Sequence, residues 1–442
     1  MHADPSNSPR RTDSDLSAWT TLSRHTLVEE IGRRFPAAAQ PAPGGTPPRG
    51  GRQAALERLS TIDPATYSTT RNHVDGQVTR LSPWIRHGVV SIAEVRDRAI
   101  AISPTAEGAT KLVSELAWRD YWRRVQATLG EGIRLPIESP AAVPRQAGAD
   151  RVPEDVRRAA TGMPCIDAFV RKLLTTGLLH NHERMWLASW MVHMRGVSWL
   201  AGADWFLEHL LDGDPASNHL SWQWVAGTFS SKPYVASRST LEACTDGVHC
   251  HPCRLRGRCD LEGPPAAAAE QWFDGVATRP KVRIPPAPNW RPGDNRKPRR
   301  PLVWLTIDSA STSGPAARRH PGAPCLFVVD AAWLAEERPS RLRLAFLIEC
   351  LADVAGVRII VGDPLAVIPR ILEDAGCDGI SLADTPCPRV RRQAEALALQ
   401  MPVDVSPWPP FVDDRDVTDL GRFSRYWEKV RRSALLLPDT CR

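Results

Sequence analysis

The hydrophobic period of this chain changes once, and that change limits what it can fold into. From residue 50 to about 262 apolar residues recur at helical spacing, as in Leu112, Leu116 and Tyr121 or Leu173, Leu174 and Leu178, with few alternating runs. Residues 263–300 then bring repeated proline and clustered charge, Arg279-Pro280-Lys281 and Pro285-Pro286-Ala287-Pro288 among them, a composition that favours extended chain over core. Beyond it, four short apolar runs at 302–307, 325–330, 357–361 and 379–382 read as buried strands, separated by helical stretches at 341–355, 365–375 and 388–400. Strand alternating with helix implies a parallel sheet with helices on both faces. The pattern therefore predicts a helical domain over 48–262, a linker over 263–300, a doubly wound, Rossmann-like α/β domain over 301–430 and a tail over 431–442. Residues 1–47 are polar and rich in Pro, Gly and Arg; they read as disordered, apart from one short helix around 17–34.

The 442 residues leave room for two to three domains. Apolar residues make up 42% of the chain, yet no uninterrupted run approaches a membrane span, and residues 1–11 lack the apolar core of a secretory signal. A cytoplasmic protein without a membrane partner is expected. The net charge of +6 is too modest for this length to point to nucleic acid by itself. Sixteen Trp against four Tyr is more telling, because indoles stack on planar rings and relay single electrons as well as filling cores.

Polar residues gather between 162 and 234 in a way that a buried helix does not require. The blocks are G-M-P-C-I-D-A at 162–168, T-G-L-L-H-N-H-E-R-M at 176–185, D-G-D-P-A-S-N at 212–218 and W-Q-W at 222–224. Asn181, Arg184, Met185 and Ala188 recur at i, i+3, i+4 and i+7, so one helix face presents an amide, a cation and a thioether together. Asp212 and Asp214 flank Gly213 with Asn218 close behind, a loop running into a helix start that suits close approach to a ligand; taken alone, it is also an ordinary Asp-Gly turn with an Asn cap. Further on, Cys244, Cys250, Cys253 and Cys259 form C-x5-C-x2-C-x5-C within 16 residues. In a cytoplasmic chain such thiols read as a metal site before disulfides: a 4Fe-4S cluster first, zinc as the alternative with His249 and His251 as spare ligands. Cys165 and the other cysteines have no such spacing and read as core or surface thiols.

In this order the blocks resemble the flavin-binding helical domain of DNA photolyases and cryptochromes. The segment from Tyr67 through Thr79-Arg80-Leu81-Ser82 is similar to that family's phosphate-binding stretch, and Glu115 to Tyr121 to its E-L-x-W-R-[ED]-[FY] helix. The resemblance implies bound FAD. It places Arg119 on the flavin side, Arg184 and Asp212 as a salt-linked pair beside the isoalloxazine ring, Asp214 near the ring's polar edge and Asn218 opposite the central-ring nitrogen. It makes Trp222 and Trp199 the inner members of an electron-transfer chain. Glu115, Trp118, Asn181, Met185 and Trp224 match the residue types that surround a flipped cyclobutane pyrimidine dimer, so the implied activity is blue-light-driven dimer splitting in DNA by an electron from the excited reduced flavin. A sensor that binds FAD without repair is the alternative.

The second domain resembles the same family in an unusual position. Val361-Gly362-Asp363-Pro364, with 407–412 and 423–427, is similar to parts of an α/β domain that photolyases usually place first, so the chain reads as a circular permutation. No antenna chromophore is legible, since Thr306-Ile307-Asp308-Ser309 stands where the family has R-x-D-L-R. The cysteine spacing resembles the iron–sulfur loop of endonuclease III-type DNA glycosylases, with one residue fewer in the first gap.

Overall fold

A computed structural model describes residues 15–138, 149–230, 232–263, 282–293 and 296–436. Five parallel strands, β1 (Pro301–Leu305), β2 (Cys325–Asp330), β3 (Arg358–Gly362), β4 (Gly379–Ala383) and β5 (Val403–Ser406), form a sheet in the order β3-β2-β1-β4-β5. Side chains alternate across a strand, and here both sides are buried. Val303, Leu305, Phe327, Val329 and Ile359 pack on Leu344 and Ile348 of the helix Arg341–Leu351. Leu302, Trp304, Leu326, Val328, Ile380 and Leu382 pack on Ile368 and Val390 of the helices Pro364–Asp374 and Pro388–Ala398. Strands covered on both faces are continuous apolar runs, which is why four of them are visible in sequence. β5 is not: it reads Val-Asp-Val-Ser over four residues, and its Asp404 faces Arg319 at 3.3 Å.

The helical layer comes first in the chain and is organised on the 24-residue helix Ala106–Leu129, capped by Thr105 and ended by Gly130 at φ 55°. The two layers share one core. Leu342, Phe346, Phe411 and Tyr426 join Leu112, Leu116, Tyr121 and Val125 in a single cluster, and Tyr121 Oη donates to the Leu420 carbonyl at 2.7 Å. Residues 282–293 run without helix or strand, but Ile284 is buried, and its carbonyl accepts from Leu420 N at 2.7 Å. Residues 264–281, 294–295 and 437–442 of the expected linker and tail lie outside the described residues. Among the described residues no helix is long and apolar enough to cross a membrane.

The reading of residues 1–47 as disordered does not hold from residue 15 onward. A 3-10 turn, Ser17–Thr21, and the helix Arg24–Arg34 fall where a short helix is expected, and they are docked on the sheet layer. Leu16 N donates to Ile359 O at 2.7 Å, and Leu16, Leu27, Ile31 and Ala38 are buried in the same cluster as β1, β2 and β3. Composition hid this because Leu27 and Ile31, with Val28 packed beside them, suffice to bury a helix whose other positions are mostly polar or charged. Residues 1–14 lie outside the described residues.

Candidate functional site

The helices Ala106–Leu129, Asn181–Ser189 and Pro215–Ala226 converge on a cavity of about 310 Å³. The first contributes Glu115, Trp118 and Arg119; the second Asn181, Arg184 and Met185; the third, with its lead-in loop, Asp212, Asp214, Asn218, Trp222 and Trp224. Residues that the sequence groups by motif are thus brought together in space.

Local chemistry explains why these faces point inward. The helix Asn181–Ser189 begins with a reciprocal cap: the His180 ring accepts from His182 N at 3.1 Å, and Glu183 accepts from His180 N at 2.6 Å. That start places Asn181, Arg184, Met185 and Ala188 along the cavity, and Asn181 Nδ2 lies 3.3 Å from Met185 Sδ. Asp214 caps the helix Pro215–Ala226 by accepting from Ser217 N at 3.2 Å. Asn218 gives one amide N–H to the Ala203 carbonyl at 2.8 Å, which leaves its carbonyl oxygen and second N–H to offer a ligand.

The carboxylates are buried and paired with partly exposed arginines. Arg184 Nη2 donates to Asp212 at 2.9 Å, and Arg119 Nη2 stands 2.8 Å from Asp214 with Arg123 at 3.7 Å. Burial alone raises a carboxyl's pKa, but Arg184, the Ser82 hydroxyl and Arg119 outweigh it at Asp212, as Arg119, Arg123 and Arg86 do at Asp214, and both stay below the usual carboxylate range. The pairing is incomplete. Arg119 Nη2 and Asp214 Oδ2 are close enough for an ion pair but outside hydrogen-bond geometry, and these two atoms, Asp212 Oδ1 and Ser217 Oγ are buried without a hydrogen-bond partner. Buried polar atoms left open around a cavity fit a polar ligand such as a flavin.

At the cavity mouth Glu115 is half-buried between Lys111 at 3.0 Å and Arg71 at 3.4 Å. Trp118 stacks on Phe423 of the C-terminal helix Phe423–Ala434, ring centroids 3.7 Å apart and planes within 12°, so one indole face is already covered. Trp224 stacks on Tyr234 at 5.5 Å. Trp222 is buried on the cavity wall against Gly202, where a Cβ would meet its ring at 2.3 Å. Trp199, which starts that helix, Trp199–His209, is half-buried and does not reach the cavity.

The expected phosphate-binding residues stand apart from this cavity. Of them only Ser82 reaches the charge network, through Asp212. Arg80 sits in the left-handed region at φ 53°, Arg58 donates to the Thr79 carbonyl at 2.7 Å, and Tyr67 lies beside Arg71 and Glu115. Leu81 is fully buried in the core, and its side chain does not line the cavity. Sequence reasoning missed Trp122, Ser217 and Ser221 on the lining, although each lies three or four residues along a helix from a residue it did find.

The cysteines do not assemble as expected. Among the described residues no three His, Cys, Asp or Glu side chains are grouped so as to hold a metal ion. Cys244 caps the short helix Arg238–Ala243, whereas Cys250 is buried, with Arg238 donating to its carbonyl at 2.9 Å. Cys165, from the helix Pro164–Thr176, is buried in the same cluster as Cys250, with Cys244 and Cys259 packed against that cluster. Burial pushes the Cys165 thiol up to about 12, and the neighbouring Cys259 and Cys250 add to the shift.

Residues 112–247 match the family model for the FAD binding domain of DNA photolyase. The chain is 35% identical over 189 residues to a chloroplastic/mitochondrial cryptochrome DASH of Oryza sativa subsp. japonica, covering 40% of this chain and 32% of that protein. It is 32% identical over 247 residues to a deoxyribodipyrimidine photo-lyase of Halobacterium salinarum, covering 51% and 49%. Among solved structures, a bacterial class III photolyase from Agrobacterium tumefaciens is 26% identical over 48% of this chain and 43% of that one, with a TM-score of 0.36. The chain spans about a third to a half of the length of the curated relatives it matches.

Proposed function

We propose that the photolyase-type FAD-binding domain matched over residues 112–247 holds FAD in this cavity, and that the chain uses it to split cyclobutane pyrimidine dimers in DNA under blue light. One observation carries the reading: Glu115, Trp118, Asn181, Met185 and Trp224 line the same cavity as the Arg184–Asp212 pair and the open polar atoms of Asp214 and Arg119. Held by Arg119, Arg184, Asp212, Asp214 and Asn218, reduced FAD would supply a light-driven electron for dimer splitting, a reaction that is redox-neutral overall. The protein's part is to bind and orient. The ion pairs fix the cofactor's charge environment, Asn218 offers an acceptor, and Trp118 and Trp224 pack against flipped bases while Glu115 and Asn181 hydrogen-bond to their edges. Trp222, on the cavity wall, and the half-buried Trp199 would relay outside electrons to a bound flavin.

The order of the layers in the chain supports a circular permutation of the family's arrangement. The N-terminal segment docks on the sheet while the C-terminal helix Phe423–Ala434 docks on the helical layer, so each end closes on the layer far from it in sequence. A sensor that binds FAD without repair is the second reading. It is favoured by the cover that Phe423 places on Trp118 and by relatives named both photo-lyase and cryptochrome DASH.

A repair assay separates the two. Dithionite-reduced protein, given dimer-containing single-stranded and duplex DNA, is expected to restore thymine absorbance on illumination. Glu115→Ala is expected to slow this by about ten- to a hundredfold, the worth of a hydrogen bond to a charged group. Flavin-loaded, reduced protein that repairs neither substrate hands the chain to the sensor reading. A metal on Cys244, Cys250, Cys253 and Cys259 remains a proposal that rests on their spacing in the sequence. Anaerobically prepared protein should then contain iron and sulfide that Cys253→Ala loses; zinc alone selects the alternative, and metal-free protein removes the proposal.

A further inference from the structure

The loop Asp212-Gly213-Asp214 is gripped from behind by an arginine of the other layer. Arg343, third residue of the helix Arg341–Leu351, is 1% exposed. Its Nη2 donates to the Gly213 carbonyl at 3.0 Å and lies 2.9 Å from Glu337, while Nη1 donates to the Leu207 carbonyl. The same Gly213 carbonyl accepts from Arg86 Nε at 2.9 Å, and Arg86 is itself ion-paired with Asp308 just beyond β1. Asp308 also receives Arg123 at 3.1 Å, the arginine that faces Asp214. A Cβ at Gly213 would lie 2.9 Å from the Arg343 guanidinium, so the glycine is what lets the cation in.

Folding alone does not call for this arrangement. One ordinary N–H satisfies a peptide carbonyl, and burying a guanidinium is costly unless it is paired. Here two guanidinium groups converge on a single carbonyl, between two carboxylates that both line the cavity. Among the described residues the cavity lining comes wholly from positions 115 to 225 of the helical layer, yet the loop carrying its two carboxylates is anchored by residues 308 and 343.

We infer that Arg343 is a positioning residue for the cofactor: reaching across from the sheet layer, it locks the Gly213 peptide so that Asp212 and Asp214 face the cavity at fixed spacing. The inference rests on the flavin reading of the cavity. Cofactor binding then depends on the sheet layer being docked, although that layer does not line the cavity.

The test titrates FAD into wild-type protein and into the paired variant Arg343→Gln with Glu337→Gln, which leaves neither charge alone. It follows flavin fluorescence and the visible circular dichroism of the bound flavin. The paired variant is expected to keep its cooperative melt, bind FAD about tenfold or more weakly and show altered flavin dichroism. Tyr426→Phe, which removes the interlayer bond to Asp120 without touching Gly213, is expected to leave both readouts unchanged. Wild-type affinity and dichroism in the paired variant overturn the inference, and so does an equal loss in Tyr426→Phe. Should the paired variant not fold, Arg343→Lys replaces it; intermediate weakening supports the inference and unchanged binding overturns it. Wild-type protein that takes up no FAD is a separate result, which removes the flavin reading and this inference with it.

Discussion

Arg184→Ala is expected to lower FAD affinity by a hundredfold or more and to cost roughly 3 kcal/mol of folding stability, because it strands Asp212 in the core without its counter-charge. The double variant Arg184→Gln with Asp212→Asn removes both charges. It should recover most of the stability while FAD binding stays weak, a split that distinguishes a cofactor-binding pair from a purely structural one. The pair also has a pH signature. The native pKa of Asp212 is depressed, so its contribution is full above the unfolded carboxylate value of about 4 and is lost as pH falls through the lower native value. Denaturant titrations at pH 7 and pH 3 should differ less in the double variant than in wild type.

Removing residues 1–40 is the second large effect. The deletion takes Leu16, Leu27 and Ile31 out of the core under β1, β2 and β3, together with the Arg24–Glu349 ion pair. At about 1.5–3 kcal/mol for each large buried side chain, the loss is roughly 5 kcal/mol or more, comparable to the whole net stability of a domain. The truncated protein is expected to aggregate or melt without a cooperative transition, and Leu27→Ala to lose about 2–5 kcal/mol. A truncated protein that melts like the full chain would show the segment to be dispensable.

What the sequence made legible and what it hid divide along physical lines. The cavity was readable because its residues sit on three helices at i, i+3, i+4 spacing, so motif and face coincide. Four strands were readable because burial on both faces leaves them mostly apolar, while β5, with Asp404 inside it, carries no such run. The N-terminal helix was located, but its docking was not, since a stripe as narrow as Leu27 and Ile31 vanishes in average composition. Arg343 escaped altogether, and the distant partners of Asp308 and Cys165 were not legible. Each acts on residues more than 80 positions away, and no periodicity connects Arg343 to Gly213 or Cys165 to Cys250. The Asp308 case also changes the reading of its motif: although Thr306-Ile307-Asp308-Ser309 departs from R-x-D-L-R, its aspartate receives both Arg86 and Arg123.

The claim that the three-helix cavity is a flavin site is tested most directly by the absorption spectrum of the purified protein, before and after denaturation, with added FAD if the preparation is colourless. The account predicts close to one FAD per chain, released intact on unfolding and therefore non-covalent, and lost from Arg184→Ala under the same conditions. A folded protein that stays colourless and retains no FAD after gel filtration contradicts it.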